Sequence, residues 1–401
     1  MLLHLIGRIG LVLGVWAFFT GAAPLAALAE NAPPPPPPEA APETPTGSER
    51  GVPAGGRFLQ LPDISFIGSA IGKLSSDSRD EDRDRVLLDE AEVGIQSYVY
   101  PNIRADAFLV ASGHEGFKLE LEEGYLTHEQ LPLRFSGRLG KFFVPFGRTN
   151  QLHPHSWPYA RRPLAWRNLV AAEALTGNGV AFSWLAPTRG PIFLRLDAGA
   201  YTQAGHSHGD EEEEQGHGDI LAGPGASFAD KFYTARAWSG LGLGRAGELE
   251  AGGSRAGGPA SPVVLSETPE VLGSRKLRVT GVDLSYRRYG SEARRLLLRA
   301  EHLWHRYDSD LGRETTRGYY AFANYRWDKY NDFGLLYDWS GIPEAGGHHE
   351  SAGSVIYTRQ LNERTYARLQ WTHGNRPGAR GYDEGWLQIV WGLGPHTHQL
   401  E

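Results

Sequence analysis

Residues 386–393 run Trp386-Leu387-Gln388-Ile389-Val390-Trp391-Gly392-Leu393. Leu387, Ile389, Trp391 and Leu393 fall on one face, and Trp386, Gln388 and Val390 on the other. A period of two is that of an extended strand, because successive side chains point to opposite faces. The pattern repeats upstream. Leu133, Phe135, Gly137 and Leu139 alternate with Arg134, Ser136 and Arg138. Tyr319, Ala321, Ala323, Tyr325 and Trp327 alternate with Tyr320, Phe322, Asn324 and Arg326. Sixteen such segments follow one another: 64–74, 88–100, 102–112, 116–126, 132–142, 178–186, 191–203, 231–242, 247–256, 276–289, 294–308, 316–328, 331–340, 351–361, 364–374 and 385–393.

The connections also alternate. Even-numbered ones are short, for example Pro101-Asn102, Arg245-Ala246 and Lys329-Tyr330. Most odd-numbered ones are long: 75–87, 143–177, 204–230, 257–275, 341–350 and 375–384. Loop length sorted by parity marks a membrane barrel, with tight turns at one rim and long loops at the other. The expected fold is therefore all-β, a transmembrane antiparallel β-barrel of about 16 strands whose long third loop folds into the lumen. Tyr98, Tyr100, Trp184, Tyr201, Trp238, Trp327, Tyr330 and Trp371 lie near strand ends, where interfacial girdles form. The faces opposite the apolar ones carry Asp106, Glu120, Glu122, Arg195, Asp197, Arg299 and Glu301, as suits a watery lumen.

The N-terminus reads as an address. An apolar stretch from Ile9 to Leu28 follows Arg8 and ends at the small-residue site Ala27-Leu28-Ala29. Residues 1–29 are expected to be a cleaved secretory signal peptide. A membrane anchor is the other reading, but Gly10, Gly14, Gly21 and Pro24 interrupt it. Residues 30–57, with prolines at every position from Pro33 to Pro38, form a periplasmic linker, since such a run favours polyproline II. Residues 58–401 are assigned to the barrel.

Composition narrows the function. The 401-residue chain has no cysteine, which removes thiol nucleophiles, Cys-based metal sites and disulfides. A net charge of −7 gives no basic footprint for nucleic acid. Low mean hydropathy disfavours membrane helices but not a barrel, whose strands expose every second residue to lipid. No His-Glu-x-x-His or phosphate loop occurs, and no enzyme is expected. Ser156 beside His155 is no dyad, because neighbours in extended chain face apart.

The third loop, FVPFGRTNQLHPHSWPYARRPLAWRNLVAAEALTG (143–177), is long, aromatic and basic. A loop of this length in a compact protein is usually functional. Arg134, Arg138, Arg148, His153, His155, Arg161, Arg162, Arg167, Arg326 and Arg368 are the expected constriction residues. Left unmatched, these arginines would favour anions. Paired with lumen acids such as Glu120 and Glu122, they would give no net selectivity. For His153 and His155, packing or hydrogen bonding within the folded-in loop is the preferred role.

The segment Gly137–Leu164 is similar to a family of uncharacterised Gram-negative outer-membrane proteins described as porin-like or as zinc-regulated outer-membrane receptors. The shared pattern here is Gly140, Lys141, Phe142, then Gly147, Asn150, His153, His155 and Trp157. Pro62–Ile71 and Trp386–His398 resemble it too. The resemblance implies a bacterial outer-membrane location. The receptor label fits less well, since a proline tract leads directly to strands where TonB-dependent receptors carry a plug domain. The expected function is passive diffusion of small hydrophilic solutes or ions. The expected partners are outer-membrane lipid and lipopolysaccharide, and by analogy with sixteen-stranded porins the chain forms a homotrimer. The alternative is a zinc-binding receptor, with His206, His208, Glu211, Glu213 and His217 as ligands, because imidazole and carboxylate suit zinc. No cofactor is required by the first reading; zinc belongs to the second.

Overall fold

The computed structural model describes residues 52–54, 57–59, 61–78, 80, 82–112, 118–172, 174–202, 227–229, 231–260, 275–309, 312–343, 347–377 and 379–395. The expected signal peptide and most of the expected linker lie outside them. Val52–Ala54 and Arg57–Leu59 pair as a small antiparallel hairpin belonging to a separate N-terminal unit.

The main unit is built from sixteen strands. They are β1 (Asp63–Ser75), β2 (Arg85–Tyr100), β3 (Ile103–Ala111), β4 (Leu119–Leu131), β5 (Phe135–Phe143), β6 (Thr176–Leu185), β7 (Ile192–Thr202) and β8 (Phe232–Gly242). They continue with β9 (Glu248–Pro259), β10 (Lys276–Tyr289), β11 (Arg295–Ser309), β12 (Gly312–Arg326), β13 (Asn331–Gly341), β14 (His349–Asn362), β15 (Thr365–Arg376) and β16 (Ala379–Leu393). Each pairs antiparallel with its neighbours in sequence, and β16 returns to β1 from Leu393↔Phe66 to Glu384↔Ser75, closing the barrel. Closure leaves no unpaired edge, which a structure in hydrocarbon requires.

Burial is inside out. On β13, Phe333, Leu335 and Tyr337 face outward and exposed, while Asp332, Asp338 and Ser340 face inward and are buried. On β16, Leu387 and Ile389 are exposed, and Gln388 and Val390 are buried. Apolar side chains outside and polar ones inside define a barrel with lipid around it and a polar lumen. Tyr98, Tyr100, Trp327, Tyr330 and Trp371 are exposed aromatics. Tyr201 departs from the expected girdle: it is buried and stacks on Phe232 at 4.9 Å.

Seven connections at one rim are tight: 101–102, 132–134, 186–191, 243–247, 290–294, 327–330 and 363–364. The start of β1 and the end of β16 share that rim. The longest described connection, 144–175, leaves from the other. Two expectations are corrected, one at each rim. Connection 375–384 is not long, because β16 begins at Ala379 and pairs with Arg376, leaving 377–378. At the tight rim, β4 runs on to Leu131, so the turn falls at Pro132–Arg134, inside the segment 132–142 expected to be strand.

Candidate functional site

The loop 144–175 leaves β5 and crosses the lumen. Its entry is set by Gly147, whose φ of 61° is the left-handed conformation that glycine adopts freely. A Cβ there would lie 2.5 Å from Trp166 Cζ2. Asn150 then clasps the two ends of the loop together. Its Nδ2 donates to the carbonyls of Val144 (3.0 Å) and Leu175 (2.9 Å), and its Oδ1 accepts from Leu175 N (2.8 Å) and Arg162 Nη2 (3.4 Å).

Beyond the clasp, apolar residues dock on the barrel wall. Phe146, Trp157, Tyr159 and Trp166 join inward-facing Tyr320, Phe322, Leu336 and Ile356 in one buried cluster. Tyr159 meets Phe322 edge-on, with centroids 5.8 Å apart. The short helix α1 (Leu164–Leu169) packs on β11 to β14. Trp166 Nε1 donates to Glu301 (2.9 Å), Arg167 pairs with Glu350 (2.9 Å), and Asn168 donates to Glu350 (3.3 Å). Arg161 pairs with Asp338 (3.1 Å). Ala160 N donates to Gln370 (2.8 Å), and Gly147 N to Ser254 (2.9 Å). The loop is thus tied to β9, β11, β13, β14 and β15. A buried, hydrogen-bonded loop of this kind is part of the lumen wall rather than a surface tip.

Two histidines tie it to the remaining side. His153 Nε2 lies 2.9 Å from Glu123, and its Nδ1 lies 2.8 Å from Glu92 and 3.0 Å from Glu122. His155 Nδ1 lies 3.1 Å from Glu90, and Tyr366 donates its hydroxyl proton to the His155 carbonyl. Burial disfavours charge at His153, but Glu122 and Glu92 outweigh it and hold its pKa well above the usual imidazole value. Burial dominates at His155 and pushes it down to about 4.

A β-bulge makes the cluster possible. Glu123 pairs with Phe108 and Leu121 with Leu109, so Glu122 is an extra residue in β4. A bulge breaks the period of two and brings consecutive side chains to one face. Glu122 and Glu123 therefore both reach His153. Glu90 and Glu92 share a face of β2 by ordinary alternation. The repeated acids in Asp89-Glu90-Ala91-Glu92 were the available signal in the sequence.

The expected constriction residues fall in different places. Arg148 pairs with Glu250 (3.5 Å) and stands over Trp238. Arg162 lies over Trp157 and Trp166 (5.3 and 4.6 Å). Arg138 lies on β5 over Tyr125 (5.1 Å). Arg368 is buried in the wall beside Tyr366, donating to Thr358 (3.2 Å) and Gln388 (2.7 Å). Arg326 lies at the tight-turn end of β12, paired with Asp332 (3.0 Å), away from the loop. Arg134 is a correction: it is exposed in the turn at the tight rim, not on the strand facing the loop. Leu133 and Arg134 both take positive φ (60° and 67°), the handedness that a tight hairpin turn requires. His206, His208, Glu211, Glu213 and His217 lie outside the described residues.

No protein-family model matches the chain. An uncharacterized protein of Aquifex aeolicus (strain VF5) is 41% identical over 78 residues, which is 20% of this chain and 16% of that protein. The fold is similar to solved outer-membrane barrels. An anion-selective porin from Comamonas acidovorans superposes with a TM-score of 0.55 at 12% identity, over 83% of this chain and 99% of that one. OprB of Pseudomonas putida gives 0.55 at 10%, over 83% and 94%. OmpT of Vibrio cholerae, in a trimer form, gives 0.51 at 10%, over 83% and 100%. At these identities the likeness is one of architecture, and the architecture is that of an outer-membrane β-barrel.

Proposed function

We propose that the chain is an outer-membrane porin that passes small hydrophilic solutes down their gradient, through a lumen narrowed by the docked loop 144–175. The observation that carries this is the loop itself. It is fixed to opposite walls of a sixteen-stranded barrel whose inner face is polar. Barrels of this strand number enclose room for an aqueous channel, and a docked loop sets its width and charge.

Charge selectivity in this reading is weak. Arg148, Arg161 and Arg167 are matched by Glu250, Asp338 and Glu350, so a preference for anions rests on Arg138, Arg162 and Arg368. Lipid and lipopolysaccharide surround the barrel, and the assembly is a homotrimer. Planar-bilayer recording from folded protein is the test. Discrete conductance steps are expected, with a small reversal potential of anionic sign in a salt gradient that shrinks in Arg368→Gln. Folded protein that yields no channel events overturns the proposal. Sedimentation in detergent reads the trimer.

A further inference from the structure

We infer that Glu90, Glu92, Glu122 and His153 form a binding site for one divalent first-row metal ion, with the ligand preference of zinc or manganese, that fastens the docked loop to β2 and β4. The inference does not depend on conduction, since the ion would bind whether or not solute passes.

The four side chains are buried, and each offers a ligand atom within 4.8 Å of the other three. Ligands about 2.1 Å from a common ion lie up to about 4.2 Å apart. Small side-chain shifts therefore close the shell. Carboxylates with one imidazole suit divalent zinc or manganese.

The arrangement around His153 also has the form of a metal-bound imidazole. Nε2 faces Glu123, and Nδ1 faces the oxygens of Glu92 and Glu122 at 2.8 and 3.0 Å, where a bound ion would take the place of the Nδ1 proton and meet its lone pair. A carboxylate holding the far nitrogen of a ligating histidine is the usual outer shell of such sites. A lone pair facing two anionic oxygens needs a cation between them, a proton or a metal ion.

Two further observations point to a ligand. Oε2 of Glu90 is buried and accepts no hydrogen bond among the described residues. A cavity of about 210 Å³ is lined by Glu90 and Glu122 together with Lys73, Arg162 and Gln388, and gives an ion a way in.

The test uses full-length folded protein with His206, His208 and His217 changed to alanine, which removes the competing surface histidines. The protein is stripped with chelator, reloaded with Zn²⁺ or Mn²⁺, freed of excess, and assayed for metal per chain. About one equivalent is expected to remain, to disappear in Glu92→Gln/Glu122→Gln, and to bind roughly 10–100-fold more weakly in Glu123→Gln. Barrel folding is checked by heat-modifiable gel mobility. If the double variant fails to fold, X-ray absorption on the reloaded protein decides. A shell of one nitrogen and three or more oxygens supports the site. No retained equivalent, retention unchanged in the glutamate variants, or a shell of several imidazoles overturns it.

Discussion

Arg161 Nη2 lies 3.1 Å from Asp338 Oδ2, and the two residues are 177 positions apart in the chain. Both are buried, and Asp338 also accepts from Leu164 N at the start of α1 (3.3 Å). One carboxylate therefore holds both a guanidinium of the loop and the end of its helix. Removing the carboxylate strands the guanidinium in a buried site, which costs about 3–5 kcal/mol. That is enough to free the loop while the barrel, held by its ladder, stays closed. Asp338→Asn should give larger or noisier conductance steps and a new tryptic cut after Arg161. A variant with unchanged conductance and the same trypsin resistance would show that the pair does not hold the loop.

Asn150 makes four hydrogen bonds with its side-chain amide, two of them donated to backbone carbonyls from the two ends of the loop. Replacement by alanine takes the donor from the Val144 carbonyl and the acceptor from the Leu175 N–H, at about 1–3 kcal/mol for each group left unsatisfied. Asn150→Ala should loosen the loop base without altering strand content. Hydrogen exchange would be faster at Leu175 N and unchanged in β11 to β14. Exchange at Leu175 equal to the parent protein would contradict the clasp.

The strand register was legible in the sequence because a barrel writes it twice, once in alternation and once in loop parity. Lys276–Tyr289 was read to the residue, and the ends of β8 and β13 to within one. Turn chemistry was harder to read. Nothing in Pro132-Leu133-Arg134 announces two non-glycine residues at positive φ, so these three residues read as the start of a strand and Arg134 as lining the lumen. The site was half legible. His153, His155 and the loop arginines stood out because they cluster in one segment. Asp338 and Glu350 did not, because each is a single inward residue on a distant strand. Their meaning depends on which part of the loop passes over them, and alternation does not carry that information.

The lipid face gives a prediction of opposite character. Leu335 lies mid-strand on β13 and is 60% exposed, whereas its neighbour Leu336 is 3% exposed and belongs to the lumen cluster. Arginine at Leu335 faces hydrocarbon, costing about 2–4 kcal/mol near the midplane. Leu336→Ala removes packing against the loop and leaves the lipid face intact. Leu335→Arg should therefore lower folding yield into bilayers while leaving single-channel conductance unchanged in the molecules that fold. Leu336→Ala should do the reverse. Equal folding yields for Leu335→Arg and parent would place that face away from lipid.

Gly147 carries the last prediction, because two independent constraints meet there. Its φ of 61° costs an alanine roughly 1–2 kcal/mol in backbone strain. A Cβ would also stand 2.5 Å from Trp166 Cζ2 and 3.1 Å from Glu301 Oε2. Trp166 cannot simply turn aside. Its indole proton is held by Glu301 at 2.9 Å, and its ring is packed edge-on to Phe146 with centroids 5.8 Å apart. Displacing the indole breaks a buried hydrogen bond to a carboxylate, and Glu301 also accepts from Tyr320 (3.1 Å) and Arg148 N (3.2 Å). Gly147→Ala should thus undo the loop's contact with β11 while the Asn150 clasp and the Arg161–Asp338 pair persist. The expected signature is a red-shifted tryptophan emission and a loss of near-ultraviolet ellipticity, with far-ultraviolet strand signal unchanged. A spectrum identical to the parent would mean that the indole accommodates the methyl group, and that Gly147 is not what fixes the entry angle of the loop.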